Sequence, residues 1–131
     1  MLTLREAVAQ VESSGRTSAI RFEPRWKPLH QQEFIKQNGW VDTLTADTFL
    51  QTSFGKYQVM CDNLYGMIGY QKPINVFYAN EAEQDDVFQQ FAIKIGFGAY
   101  TTTLVNEVPN LDSFALRYNG SVVYANSLLK A

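Results

Sequence analysis

The sequence predicts a mainly α-helical single domain with a short β segment after the first helix. The 131 residues, of which 46% are hydrophobic, suffice for one well-buried core and are too few for two ordinary domains. Apolar residues recur at helical spacing along most of the chain, whereas residues 20–23 alternate with the period of a strand. We therefore expect residues 1–131 to form one mostly helical domain.

The first helix is predicted from about Leu4 to Ser13. Thr3 and Glu6 have the spacing of a capping box, in which each residue satisfies a free amide group of the other. Gly15 is expected to end the helix, because glycine readily adopts the left-handed conformation found there.

Glu12 is the candidate catalytic residue of this helix. Leu4, Val8 and Val11 recur on one helix face, and Glu12 lies at the edge of that face. A carboxyl group in apolar surroundings favours its protonated form, which a general acid working near neutral pH needs. The alternative is a boundary residue whose stem covers apolar surface while its head reaches water.

Residues 20–23 are predicted to form a short strand in which Glu23 faces away from Ile20 and Phe22. Pro24 and Pro28 prevent a long element in the segment that follows.

Helices are predicted in the middle of the chain from the same kind of pattern. Pro28 is placed to start a helix that ends at Gly39, and a short helix is expected over residues 46–50. Residues 57–67 are predicted to form a central helix, because apolar side chains recur there at helical spacings. Pro73 forbids its continuation.

The second half of the chain is predicted to be helical throughout. Asn80 is placed to cap a helix over residues 81–96, with acidic residues in its first turn. A further helix is expected over residues 98–108 before a proline. A short helix over residues 114–116 and a final helix to Leu129 complete the prediction.

Composition excludes several classes of function. Charged residues make up 18% of the chain and the formal net charge is −2, so no basic field favours nucleic acid. No apolar run approaches the roughly 18 residues needed to span a bilayer. The first helix lacks the apolar core and cleavage site of an export signal.

Cys61 and His30 are the single cysteine and the single histidine of the chain. Neither an intramolecular disulfide nor a zinc site built from cysteine and histidine is possible with so few ligands. Cys61 lies in an apolar stretch and is expected to be a small buried hydrophobe. Nucleophilic catalysis through His30 lacks an adjoining motif, so no metal or cofactor is expected.

Three separated segments carry a family resemblance. Residues 12–15, Glu-Ser-Ser-Gly, resemble the catalytic Glu-Ser step of goose-type lysozymes and soluble lytic transglycosylases, and more closely that of the phage-type N-acetylmuramidases. Residues 55–60, Gly-Lys-Tyr-Gln-Val-Met, resemble their second motif, a Gly-x-x-Gln followed by two apolar residues. Residues 118–120, Tyr-Asn-Gly, are similar to the third motif. The resemblance spans residues 4 to about 125 and implies a lysozyme-like fold.

The resemblance implies a glycan-binding cleft with Glu12 as the general acid. Gly55 would allow close approach of a sugar chain, Gln58 offers a donor and an acceptor, and Tyr118 offers a ring and a hydroxyl near the acid. The expected substrate-binding residues are Ser53, Gly55, Tyr57, Gln58, Tyr118 and Asn119. The alternatives are a turn at Gly55, a core aromatic at Tyr57 and a helix stop at residues 118–120.

Glu23 is the candidate second carboxylate. Residues 20–23, Ile-Arg-Phe-Glu, resemble the apolar-apolar-Phe-Glu segment of the muramidase branch, with Arg21 as a departure. An inverting hydrolase needs a base that activates water about 6.5 to 9.5 Å from the acid. The alternative is a surface ion pair of Glu23 with Arg21 or Arg25.

The expected activity is a muramidase that cleaves the β-1,4 bond between N-acetylmuramic acid and N-acetylglucosamine, without a cofactor. A lytic transglycosylase that forms anhydro-muramoyl ends and a non-catalytic glycan-binding or virion domain are the alternatives. The expected partner is a peptidoglycan strand, bound by a monomer with no nucleic acid and no membrane insertion. The protein is expected in a phage virion or the host cytoplasm, with delivery to the wall by another component.

Overall fold

The computed structural model describes residues 1–131 and contains eight α-helices and three short strands. The helices are α1 (Leu4–Ser13), α2 (Gln31–Asn38), α3 (Thr43–Leu50), α4 (Cys61–Tyr65), α5 (Ile74–Tyr78), α6 (Glu81–Lys94), α7 (Leu111–Asn119) and α8 (Tyr124–Lys130). The strands are β1 (Ile20–Phe22), β2 (Thr52–Phe54) and β3 (Val59–Met60). The predicted mainly α fold with a short β segment after the first helix is confirmed.

Helix α1 begins at the predicted cap residue Thr3, with one of the two amide bonds of a capping box. The Glu6 amide donates to the Thr3 hydroxyl oxygen (3.3 Å), and that hydroxyl donates to the Glu6 carboxylate (2.8 Å). The helix ends at Ser13, where Ser14 (φ 56°) and Gly15 (φ 78°) both adopt the left-handed conformation. This reversal turns the chain toward β1 and leaves Glu12 in the last helical turn.

The three strands form an antiparallel sheet in the order β1-β2-β3. Its register pairs Arg21 with Ser53 and Ser53 with Met60. Side chains of directly paired residues point to the same face of a sheet, so these three lie side by side. The other side chains of β1, Ile20 and Phe22, are more than half exposed.

The predicted central helix over residues 57–67 is wrong. The segment contains the end of a tight turn, strand β3 and the short helix α4. Gly55 (φ 85°) and Gln58 (φ 52°) are both left-handed, which reverses the chain and pairs β3 with β2 instead of continuing a helix. The apolar spacing that suggested a helix comes from two consecutive elements.

The predicted helix over residues 98–108 is also wrong. Two single 3₁₀ turns, Gly98–Tyr100 and Val105–Glu107, stand in its place. The intervening backbone pairs with the start of α1, where the Leu4 amide donates to the Thr103 carbonyl (2.9 Å). The Val105 amide likewise donates to the carbonyl of Leu2 (2.9 Å). This pairing fixes the N-terminal end of α1.

Other helices agree with the prediction apart from their ends. Asn80 caps α6 by accepting from two backbone amides, and the helix ends at Lys94, two residues before Gly96. Helix α2 begins three residues after Pro28, and α3 begins earlier than predicted because the Asp42 side chain accepts from the Thr45 amide (2.8 Å). Helix α7 is longer than predicted, α8 ends at Lys130, and α5 was not predicted.

One hydrophobic cluster of 25 buried residues runs through the molecule. It extends from Leu4 in α1 through Phe88 in α6 and Phe114 in α7 to Leu128 in α8. Cys61 is fully buried in it, as the sequence predicted. None of the helices combines the length and apolar character needed to cross a bilayer.

Candidate active site

A cavity of about 390 Å³ opens where the end of α1 faces the sheet and α7. Six of the predicted site residues line it: Glu12, Glu23, Ser53, Gln58, Tyr118 and Asn119. The fold therefore brings residues that lie far apart in sequence to one cavity. Four further residues, which were not predicted as site residues, complete the lining: Arg21, Arg25, Trp26 and Met60.

The structure does not bring Gly55 and Tyr57 to the cavity. Tyr57 is 2% exposed, its ring stacks on Phe88 with a centroid distance of 4.4 Å, and its hydroxyl donates to Asp85 (2.6 Å). A side chain at Gly55 would meet the Gln84 amide oxygen at 2.5 Å. The two alternatives, a core aromatic and a turn glycine, describe these positions.

Glu12 is held by a hydrogen bond from α8. Its side chain is only 8% exposed, and its Oε2 accepts from the Tyr124 hydroxyl at 2.7 Å. Burial, and then the proximity of Tyr118 and Glu12, raise the pKa of Tyr124. Its hydroxyl therefore stays protonated and remains a donor to Glu12 over the whole physiological range of pH.

Arg21 lies between the two candidate carboxylates. Its Nε donates to Glu23 Oε1 (2.8 Å), and its Nη2 lies 3.4 Å from Glu12 Oε1. The ion pair between Arg21 and Glu23 that the sequence left open is thus present. The guanidinium offsets the mutual repulsion of two carboxylates at one cavity.

The tight turn between β2 and β3 holds Gln58 in place. The Ser53 hydroxyl donates to Gln58 Oε1 (2.8 Å), and Gln58 Nε2 donates to the Gly55 carbonyl (2.9 Å). Ser53 is nearly fully buried. The side-chain amide of Gln58, which lines the cavity, is therefore held in one orientation by Ser53 and Gly55.

Tyr118 lines the cavity, and its hydroxyl is hydrogen-bonded to the backbone instead of to Glu12. The hydroxyl donates to the Tyr57 carbonyl (2.6 Å), and the ring stacks on that of Tyr124 with a centroid distance of 6.2 Å. Tyr118 thus supports the ring of the residue that contacts Glu12. Gly120 (φ 86°), two residues after Tyr118, ends α7, so the third motif is also a helix stop.

Sequence reasoning missed Trp26 and Tyr124. Trp26 lies three residues after Glu23 between two prolines, and an aromatic side chain beside a candidate carboxylate was the available signal. Tyr124 had no such signal, because its contact with Glu12 joins residues 112 positions apart.

Two further cavities adjoin the first, and Gln58 lines all three. One, of about 480 Å³, shares Glu12, Arg21 and Gln58 with the first cavity. The other, of about 290 Å³, shares Trp26 and Tyr118 with it. Glu12 therefore lies within a long groove rather than at the bottom of a closed pocket.

The fold and the groove define a mainly helical protein with an extended surface cleft and a shielded carboxylate at its centre. The chain is 30% identical to the endolysin of Enterobacteria phage PRD1 over 139 aligned positions, which cover 98% of this chain and 93% of that protein. The chain belongs to the family of this phage endolysin. No protein-family model matches the chain, and no solved structure is significantly similar to it.

Proposed function

We propose that this protein degrades peptidoglycan as a muramidase that cleaves the β-1,4 bond between N-acetylmuramic acid and N-acetylglucosamine. The observation that carries the proposal is the shielded carboxylate of Glu12 at the junction of two cavities of one groove. A bound glycan strand would extend to both sides of this group. Membership of a phage endolysin family supports a lytic enzyme of the bacterial wall.

Glu12 acts as the general acid in this mechanism. Because Tyr124 donates to Oε2, Oε1 is the oxygen that carries the proton to be transferred. Arg21, whose Nη2 donates to Oε1 at 3.4 Å, must first move away from it. That proton passes to the glycosidic oxygen as its bond to the muramic acid carbon breaks. Burial in the groove strengthens the charge interactions with the developing oxocarbenium ion.

Glu23 acts as the base in the inverting form of the reaction. It takes a proton from a water molecule, whose oxygen attacks the anomeric carbon from the face opposite Glu12. Arg21 must release Glu23 for this step, since its Nε donates to the same carboxylate. Neither step requires a metal or an organic cofactor.

The same ion pair favours a second candidate, lytic transglycosylation. If Arg21 stays bound to Glu23, no free base faces the water. The 6-hydroxyl of the muramic acid then attacks the anomeric carbon in place of water and gives its proton to the Glu12 carboxylate, which has already protonated the leaving oxygen. Mass spectrometry of digested glycan separates the two reactions. We expect reducing muramoyl ends and severe impairment of a folded Glu23→Gln variant, whereas dominant anhydro-muramoyl ends would support the transglycosylase.

The Glu12→Gln variant tests the acid itself. The amide is nearly isosteric but donates no proton as an acid does, so the clearing of permeabilised cells should slow by roughly 100-fold or more. Glu107→Gln is a matched control, because Glu107 is exposed and lines none of the cavities described. A folded Glu12→Gln variant that clears faster than about a tenth of the wild-type rate would show that Glu12 is not the acid.

The proposed context is phage lysis or wall penetration by a monomer, which another phage or host component delivers to the wall. The bound partner in this context is the glycan strand alone. Light scattering of the purified protein would test the monomer, since a dimer would double the measured mass.

A further inference from the structure

The groove does not end at the two carboxylates. Beyond Trp26 lies the cavity of about 290 Å³, whose lining includes the apolar side chains of Val59, Phe91 and Leu116. Trp26 lines both this cavity and the one that contains Glu12. Trp26 therefore stands where a strand leaving Glu12 would pass into the apolar end of the groove.

We infer that Trp26 is a binding residue for an N-acetylhexosamine ring remote from the cleaved bond, and that buried Asp62 positions it. The inference rests on the proposed glycan-cleaving function and adds a subsite to it. One face of a pyranose ring carries C–H groups, which pack against an indole by dispersion and hydrophobic contact. Gln58 and Asn119 border the same two cavities and offer amides to hydroxyl and acetamido groups.

The indole is fixed before any ligand arrives. Its Nε1 donates to Asp62 Oδ2 (3.0 Å). The Trp26 amide donates to the Glu23 carbonyl (3.0 Å), and its carbonyl accepts from the Gln51 side chain (3.0 Å). A half-buried indole that is hydrogen-bonded at Nε1, on a backbone held by two further hydrogen bonds, loses little further freedom when a sugar binds, which lowers the entropic cost of binding.

Asp62 has the properties of a positioning residue. It is 2% exposed, and no Lys or Arg side chain forms an ion pair with it. Its Oδ1 accepts from the Leu29 and His30 amides (3.0 Å each). An asparagine would satisfy these two amides, but its NH₂ group would face the indole N–H, donor against donor. Only a carboxylate accepts hydrogen bonds from both the backbone amides and the indole N–H.

Steady-state kinetics on soluble peptidoglycan glycan strands tests the inference with Trp26→Ala and Asp62→Asn. We expect KM to rise about tenfold in each, because a lost aromatic contact of this kind weakens binding by about that factor. The value of kcat should change less than about threefold, because the ring does not touch the reacting atoms. The control is Trp40→Phe, since Trp40 is 82% exposed and lines no cavity; it should behave as wild type.

A fluorescence titration measures the contact directly. The chain has two tryptophans, so Trp26 is the sole emitter in a Glu12→Gln, Trp40→Phe double variant. Adding the same glycan strands should shift or quench this emission in proportion to the binding measured by calorimetry. In the double variant, a third substitution, Asp62→Asn, should weaken the binding of the glycan strands about tenfold.

The outcomes separate the two proposals. A wild-type protein that releases no glycan fragments overturns the proposed function. An active enzyme in which Trp26→Ala keeps the wild-type KM, or in which saturating strands leave the Trp26 emission unchanged, overturns the inference alone. If Asp62→Asn does not fold, the Trp26→Ala kinetics and the titration of the double variant decide.

Discussion

The two carboxylate oxygens of Glu12 have different neighbours. Oε2 accepts from Tyr124, whereas Oε1 lies 3.4 Å from Arg21 Nη2. A hydrogen bond to a charged group is worth about 1.5 to 3 kcal/mol, enough to hold the carboxylate in one rotamer. Tyr124 therefore determines which oxygen meets the substrate.

The Tyr124→Phe variant should keep the fold and lose lytic rate. Its ring can still stack on Tyr118, but the hydrogen bond to Glu12 is gone, and we expect the clearing rate to fall about tenfold. Tyr100→Phe is the control, because Tyr100 lies outside the groove. A Tyr124→Phe variant that clears like wild type would mean that Glu12 does not depend on this contact.

Helical spacing and strand alternation drew attention to Glu12 and Glu23, and the family resemblance added Gln58 and the roles of all three. The fold brings all three to one cavity. The same resemblance failed at Tyr57. In the turn between β2 and β3, the left-handed conformation of Gln58 sends neighbouring side chains in opposite directions, so Gln58 meets the cavity and Tyr57 enters the core. A motif read as a string of letters does not contain that reversal.

The turn that contains Gln58 is hydrogen-bonded to α6. Gln84 is fully buried; its Oε1 accepts from the Lys56 amide (2.8 Å) and its Nε2 donates to the Thr17 carbonyl (3.0 Å). One side chain of α6 thereby ties together the turn and the loop that follows α1. The position of the groove floor depends on this connection.

A Gly55→Ala change should disturb the connection. Gly55 has φ 85° and its new Cβ would lie 2.5 Å from the Gln84 amide oxygen, whereas Gly15 has φ 78° and open space around it. We expect Gly15→Ala to cost about 1 kcal/mol of unfolding free energy through backbone strain. Gly55→Ala should cost about 2 to 4 kcal/mol, because overpacking is added. Urea denaturation measures both, and equal losses would show that Gln84 moves aside.

Asp85 of α6 makes the same connection sensitive to acid. Burial alone would raise the pKa of Asp85, but hydrogen bonds from Lys56 and Tyr57 outweigh it and lower the pKa below 3.8. The ionised Asp85 carboxylate therefore stabilises the folded state above pH 3.8, and this stabilisation is lost as the pH falls through the lowered pKa of Asp85. Between pH 7 and about pH 3, the wild type should lose about 1 kcal/mol more than Asp85→Asn. Equal losses in urea titrations would contradict this.

Helices with their own start signals were the predictable elements. Thr3 and Asn80 cap α1 and α6 as their side chains indicate. The segments 57–67 and 98–108 were mispredicted because backbone outside each segment takes its hydrogen bonds. The neighbouring strand β2 pairs with the first segment, and the distant start of α1 pairs with the second. Apolar spacing alone does not reveal such partners.

Helix α8 belongs to the same core as α1, since Leu128 and Leu4 lie in one cluster of buried residues. We propose on this basis that residues 1–131 are one cooperative domain. Thermal unfolding should show a single transition, with far-ultraviolet circular dichroism and tryptophan fluorescence giving the same midpoint. Two separated midpoints would divide the chain into independently melting parts.

Cys61 is the only thiol of the chain and has no solvent exposure. Burial, and then the charge of Asp62, raise the pKa of this thiol, so neither the thiolate nor access for a reagent exists while the core is closed. Thiol-specific oxidants should leave Cys61 unchanged in the native protein. A thiol-reactive dye should label Cys61 only when the protein unfolds globally. The labelling rate in buffer without denaturant therefore reports the rate or extent of global unfolding.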